Sequence, residues 1–524
     1  MKQNVLVLLL LSVVTGLVWS PSKNGQAQPR GRRAQLNTQK AFFENLKKLC
    51  GLQFLGTTVF PQNADHPLVG KPLVLSVRSC AGNVIRIPFH AGEDKSRTFI
   101  LTLTDKGLLF KHDHRHPDGT PDRITMYGGW AAPGGTPYQQ SFPADDETKK
   151  LIPEAATNVW TLQMRPATQQ LTYSLERNNQ PRYKGSFTQL PHWTLQRSGV
   201  TARLRGISAV TERIVWASGS GNTVLRTLNG WTWQKLKVTA NSNPPLDFRD
   251  IDAIDESTAY VLSIGNGPAS RIYKTTDGGR TWALQFKSDN PKEFWDAMSF
   301  WDAENGIVIG DSVNGQFCIM TTYNGGRIWT RVPAAVLPPA LENEGAFAAS
   351  GTNIAVWGKG HAWIATGAGA KARVLRTEDG GRTWKISETP LMAGPSAGIF
   401  SIAFRDAQHG VIVGGDYRKE EEAVDNLAVT SDGGATWTLV KGLSGFRSVV
   451  AYVPVMSARQ MPMLMASGPS GTDFSIDDGR TWVKLNGPGF DTLSFGGPTG
   501  RGRHQTMVRG WASGAKGSIA RLQF

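Results

Sequence analysis

Residues 275–282 read T-T-D-G-G-R-T-W, and the pattern returns at 377–384 (T-E-D-G-G-R-T-W), 430–437 (T-S-D-G-G-A-T-W) and 475–482 (S-I-D-D-G-R-T-W). Two worn copies exist: 322–329 carries Asn324 and Ile328 in place of Asp and Thr, and 227–233 is one residue short with Asn229. The closing tryptophans, Trp233, Trp282, Trp329, Trp384, Trp437 and Trp482, fall 45 to 55 residues apart. A turn motif recurring at that period marks a propeller-like array of small sheets.

Each letter of the motif has a mechanical use. The third-position Asp or Asn accepts hydrogen bonds from backbone N–H groups of its own turn. The Gly at position five takes a backbone geometry closed to other residues. Thr and Trp then start an outgoing strand, where the indole packs on its neighbour. The motif resembles the Asp-box, or BNR, repeat of sialidases, sortilin-type receptors and photosystem II assembly-factor propellers. In those families the box lies away from the ligand face, so the resemblance implies no chemistry for the box residues.

Aligning the copies yields seven units, although six carry a box. Each second strand ends in small residues, as in W-A-S-G (216–219), V-I-G-D (308–311) and V-G-G-D-Y (413–417). The last unit stops at its third strand, I-A-R-L-Q-F (519–524). H-W-T-L-Q-R at 192–197 matches the strands that follow the boxes, such as T-W-A-L-Q-F. We therefore expect a seven-bladed propeller over 191–524, closed by strand 192–197 as the outer strand of the last blade, which removes an open sheet edge. A WD-repeat propeller is disfavoured, because the blades do not end in Trp-Asp.

Upstream, Phe42, Phe43, Leu46 and Leu49 have helical spacing. About eight strand-like stretches follow between 73 and 190, which predicts an antiparallel barrel or sandwich over 41–190, a small lipocalin-like barrel being one candidate. The chain starts with Lys2 and an apolar run from Val5 to Trp19, then G-Q-A at 25–27. That layout predicts a secretory signal over 1–27 and a secreted or periplasmic protein. An uncleaved anchor is the alternative, although the run is shorter than the ~20 residues a spanning helix needs. Residues 28–40 read as a flexible basic linker, and no later segment is long enough to span a membrane.

The formal charge is +15, and removing Lys2 and Lys23 with the signal leaves +13. Such a surface favours acidic partners. The basic residues are scattered and the layout of the first residues predicts export, which argues against nucleic acid. Cys50 and Cys80 could pair in an oxidising compartment or stand as two buried thiols. Cys318, in an apolar strand, reads as buried and inert.

Two stretches carry candidate chemistry. Lys111–Gly129 contains His112, His114 and His116, which share one face if the chain stays extended. Alternating imidazoles can hold a transition metal, while P-D-G-T-P-D beside them is plain turn chemistry. This stretch, with S-R-T at 96–98, Y-G-G at 127–129 and N-V-W-T at 158–161, resembles a bacterial secreted domain to which no activity is attached. The second is the propeller face opposite the boxes, where first-strand starts and second-strand ends converge. The starts contribute Arg205, Arg249, Asp250, Asp296, Glu344, Arg447 and Asp491. The ends contribute Asp311, Asp416 and Tyr417. Arginines beside carboxylates suit recognition of a carboxylate, a sulfate or an acidic peptide; self-paired charges around a water-filled channel are the plainer outcome.

These observations favour a binding or scaffold propeller for a protein partner or an acidic glycan, without a cofactor. The resemblance to sialidases supplies an alternative, a glycoside hydrolase with Arg205, Arg249 and Arg447 on a carboxylate, Tyr417 as nucleophile, Glu344 as its partner and Asp296 or Asp416 as the acid. The F-R-I-P signature of that family is absent; F-R-D-I stands at 248–251. No esterase elbow, P-loop or dinucleotide fingerprint occurs in a fitting context. The sequence leaves the oligomeric state open.

Overall fold

The computed structural model describes residues 30–239, 242–454, 462–497 and 509–524. The expected signal over 1–27 lies outside them. Among the described residues no helix is long and apolar enough to cross a membrane.

The first described element is a helix, α1 (Arg30–Lys47). The expectation of a flexible lead-in over 28–40 is corrected here, because the helix starts ten residues before Lys40. Leu36 and the buried, polar Gln39 extend the inward face of Phe43 backwards at helical spacing. Its amide donates to Ala131 O (3.2 Å) and accepts from Leu108 N (3.0 Å), which fixes the helix across the sheet below. Phe42, Phe43 and Leu46 are buried in the same core, each such side chain contributing about 1.5–3 kcal/mol. The helix ends at a disulfide between Cys50 and Cys80.

Ten strands follow: β1 (Gln53–Phe60), β2 (Leu73–Ser76), β3 (Val84–Ala91), β4 (Asp94–Thr104), β5 (Gly107–His114), β6 (Tyr127–Trp130), β7 (Gln139–Pro143), β8 (Val159–Arg165), β9 (Gln170–Arg177) and β10 (Gln180–Gln189). They form one antiparallel sheet in the order 6-5-4-3-2-1-10-9-8-7. Its two ends meet: Ala132 N donates to Ser141 O (2.8 Å) and Asp145 N to Gly128 O (2.9 Å). At this seam a Cβ on Gly129 would stand 1.8 Å from Pro143 O, so only glycine lets the strands approach. The sheet is thus barrel-like. Its interior is filled by Phe89, Phe99, Phe110, Phe142, Trp160, Tyr173 and Phe187.

The histidine hairpin joins this packing. His112 is buried against Tyr127 and Phe110, with Nε2 bonded to Tyr173 Oη (2.9 Å) and Nδ1 facing Tyr127 O (3.2 Å). Burial pushes its pKa down to about 3. His114 bonds Tyr127 Oη through Nε2 (2.9 Å), and His116 lies beyond the end of β5. Among the described residues no group of His, Cys, Asp or Glu is arranged to hold a metal ion. The expectation of a metal at His112, His114 and His116 is corrected accordingly: the His112 and His114 imidazoles complete an aromatic hydrogen-bond network.

After two residues the chain enters β11 (His192–Gln196), which pairs antiparallel with Ile519–Gln523. Seven four-stranded sheets result. Blades 1 to 6 span 204–237, 247–287, 295–331, 354–388, 397–439 and 449–484, and blade 7 combines 492–523 with β11. The turns that carry the repeated motif are built alike. In blade 2, Asp277 accepts from Thr281 N (2.9 Å) and Thr281 Oγ1 (2.7 Å), while Thr275 Oγ1 accepts from Gly279 N (2.9 Å). Asp379, Asp432 and Asp477 repeat the bonds. Cys318 is a free, buried thiol.

Innermost strands are clamped to one another by side chains that accept a neighbour's backbone N–H. Ser208 accepts from Ala253 N (3.1 Å), Asp250 from Met298 N (2.7 Å), Asp252 from Phe300 N (3.0 Å), Ser401 from Val450 N (2.9 Å) and Ser494 from Ala209 N (3.1 Å). Barrel and propeller touch where the Gln53 amide spans Lys484 O and Asn486 N, and Leu55 packs beside Leu190.

Candidate functional site

Three groups of side chains meet at the hub on the face where innermost strands begin. The first is cationic. Arg203 forms a two-pronged bond with Asp491 (2.7 and 2.7 Å). Arg249 donates to Asp247 (2.9 Å) and to Ala348 O (3.0 Å). Arg205 stands between them with no hydrogen bond or ion pair to any described residue. Burial, then the charges of Arg249 and Arg203, lower its pKa to about 10, so it stays charged at neutral pH.

The second group is aromatic. Phe347 and Phe400 stack at 4.0 Å and 7°. Phe446 meets Phe400 edge-on at 4.7 Å, and Tyr417, 43% exposed, closes the side at 6.2 Å from Phe400. These walls and the arginines enclose a cavity of about 490 Å³, with Glu420 at its lining.

The third group is acidic and lines a second recess of about 650 Å³ that shares Arg249, Phe347 and Ala348 with the first. Asp296 is 1% exposed, and its Oδ2 has no hydrogen-bond partner among the described residues. Burial, followed by the nearby Asp311, raises its pKa well above the carboxylate range. Asp311 is pushed up to about 6 by burial, while accepting from Ala346 N (3.1 Å).

The remaining residues singled out in the sequence lie elsewhere or are engaged. Arg447 is fully buried and bound to Asp473 (2.7 Å), Phe446 O (2.7 Å) and Ser470 Oγ (3.0 Å). Glu344 is buried and held by Arg373 and Thr366. Asp250 is one of the clamps between blades. Asp416 caps its own turn through Arg418 N (3.0 Å). Arg205, Arg249 and Arg447 therefore do not present three free guanidinium groups, and the Tyr417 hydroxyl has no hydrogen-bond partner among the described residues.

Sequence reasoning singled out Tyr417 but missed Arg203 and the three phenylalanines of the aromatic wall. Both carried a signal. Arg203 precedes Arg205 by two, the spacing that keeps strand side chains on one face. Phe347, Phe400 and Phe446 occupy the opening of three successive blades, a recurrence visible once the units are aligned.

No family model matches the sequence, and no curated protein matches it. Solved structures do resemble it. A YCF48 structure bound to D1 peptide is 16% identical, with a TM-score of 0.43 over 63% of this chain and 96% of its own. YCF48 from Cyanidioschyzon merolae is 18% identical, also with a TM-score of 0.43, over 63% and 98%. The GH74 enzyme of Niastella koreensis covers 92% of both chains at 12% identity and a TM-score of 0.30. All are distant, and the blade count rests on the strand pairing described above.

Proposed function

We propose that this chain is an exported binding propeller, related in kind to photosystem II assembly-factor and other Asp-box propellers, whose hub holds a protein segment presenting a carboxylate beside an apolar or aromatic side chain. One observation supports this above the others: Arg205, charged and half-buried, faces a cavity walled by Phe347, Phe400, Phe446 and Tyr417 without a partner of its own. A desolvated cation gains most from a ligand carboxylate, because the hydrogen bonds are charge-assisted in a site that excludes water. The stacked rings beside it supply the apolar contact that anchors a peptide side chain.

A sialidase-type mechanism finds no support in this geometry. It needs three converging guanidinium groups and a Tyr–Glu pair within hydrogen-bond reach, whereas Arg447 and Glu344 are bonded inside their own blades.

Panning a displayed random-peptide library on the immobilised chain tests the proposal. Captured sequences should carry Asp, Glu or a free C-terminus next to Phe, Tyr or Leu. Arg205→Ala should weaken them by about tenfold or more, the value of a lost charge-assisted bond. Peptides selected without a carboxylate, or bound equally by Arg205→Ala, overturn it.

A further inference from the structure

A second cationic recess lies away from the hub, against the worn motif turn of blade 1. Here Trp231 directly follows Gly230, where the other copies have Gly followed by Arg or Ala. The turn is held firmly, since Asn229 Oδ1 accepts from both Trp231 N (2.8 Å) and Thr232 N (2.9 Å). Trp231 nevertheless remains 59% exposed. Beneath it lies Arg521 of blade 7, 5% exposed, with its guanidinium 4.5 Å from the Trp231 ring and 5.5 Å from Trp511.

Two of the equivalent cations elsewhere reach a carbonyl of the next blade, although Arg376 does not and, like Arg226, keeps a buried Nε without a partner among the described residues. Arg226, stacked on Trp216, donates to Glu256 O (2.8 Å), and Lys274, over Tyr260, donates to Gly325 O (2.8 Å). Among the described residues Arg521 makes no such bond: its Nε and Nη1 are buried without a hydrogen-bond partner there. Leaving such donors unmade costs free energy that a ligand can recover. Arg213 and Arg509 line the same recess of about 450 Å³. Among the described residues that line it, the single carboxylate, Glu212, stands 3.7 Å from each of these two arginines, beyond hydrogen-bond length. Three guanidinium groups against one carboxylate leave a net positive, concave site beside an exposed indole.

We propose that this recess binds an acidic saccharide, its carboxylate or sulfate held by Arg213, Arg509 and Arg521 and one sugar ring lying on the free face of Trp231. Guanidinium groups match the geometry of planar and tetrahedral oxyanions, and the indole offers a flat apolar surface with a low ordering cost. The shape favours this ligand over a bilayer. A flat membrane would meet Trp231 and Leu228, while Arg521 lies too deep for it. The site is independent of the hub and stands whether or not the hub takes a peptide.

Calorimetric titration of the purified chain with a heparin-derived tetrasaccharide and a hyaluronan tetrasaccharide, at equal ionic strength, decides the matter. At least one should bind, and uncharged cellotetraose should not. Arg213→Gln, Arg509→Gln and Trp231→Ala should each weaken binding by about tenfold, whereas Arg249→Ala in the hub should leave it unchanged. Arg213 is mostly exposed, so its variant reports binding even where Arg509→Gln alters folding. No binding of either tetrasaccharide, affinity unaltered by all three variants, inorganic sulfate binding as tightly as the saccharide, or capture by anionic vesicles alone would each overturn the proposal.

Discussion

Arg205 and Arg447 occupy corresponding positions at the openings of blades 1 and 6, yet their truncation should have opposite consequences. Arg447 and Asp473 are both inaccessible to water, at 2.7 Å, and Arg447 also satisfies Phe446 O and two serine hydroxyls. Arg447→Ala removes one partner of a buried pair and strands the Asp473 carboxylate, which costs about 3–5 kcal/mol. At about 2 °C per kcal/mol for a domain of this size, the melting midpoint should fall by roughly 5–10 °C. Arg205 has no bond to lose, and its burial is unfavourable to the charge. Arg205→Ala should therefore change stability by less than about 0.5 kcal/mol, or improve it. Urea unfolding followed by tryptophan fluorescence, beside the peptide-capture assay, separates the two: Arg447→Ala loses stability, and Arg205→Ala loses ligand. Replacing the pair together, Arg447→Met with Asp473→Leu, should recover most of the stability. A stable Arg447→Ala protein, or an Arg205→Ala protein equally destabilised, would refute the distinction between locked and available arginines.

Burial, then the bond from Met298 N and the charge of Asp252, sets the Asp250 carboxyl at about 8 in the fold. A raised carboxyl stabilises below its unfolded value and loses that contribution as pH rises through about 8, so melting midpoints measured from about pH 5 to 9 should decline. Asp250→Asn, which keeps an acceptor for Met298, should flatten that decline; parallel curves would count against the assignment. His112 has the opposite sign. Its pKa is lowered to about 3 by burial, so the barrel should lose stability as pH falls from about 6.5 toward 3, and His112→Gln should be less stable but flatter over that range when melts are compared. Removing both Cys50 and Cys80 by serine substitution opens a loop of 30 residues. It should cost about 3–4 kcal/mol on the chain-entropy relation, read by denaturant titration without reductant; an unchanged midpoint would show that the bridge is idle.

The propeller was legible because its turns are stereotyped. An Asp that accepts from the N–H four residues later, with a glycine between them, leaves a spaced imprint that the Trp completes. The closing strand was legible for a related reason, since H-W-T-L-Q-R matches the outer strands it imitates. The barrel was harder. β1 and β7 were missed: Gln53–Phe60 contains Gly56 and two threonines, and Gln139–Pro143 is a short polar strand at the seam. The onset of α1 was hidden because residues 30–35 read R-G-R-R-A-Q, a glycine among mostly polar residues with no apolar spacing to mark a helix. At the hub, the innermost-strand residues were identified but their engagement was not. Arg447 is neutralised by Asp473 and Glu344 by Arg373, partners on third strands of the same blades. Which of several like charges finds such a partner is settled by packing between strands, and period-2 patterning does not carry that information.

The junction between β10 and β11 also bears on how the protein is made. His192 leaves the ribosome early, while Gln523, its partner, is added about 330 residues afterwards. At the usual elongation rate of ~5–20 residues per second, that strand waits roughly 15–60 s with its amides unsatisfied. The barrel directly ahead of it can fold in that interval, so a finished module holds one half of the clasp in place until the other arrives. A translational pause late in the message would prolong the exposure of that edge, and with it the window for pairing with a neighbouring nascent chain.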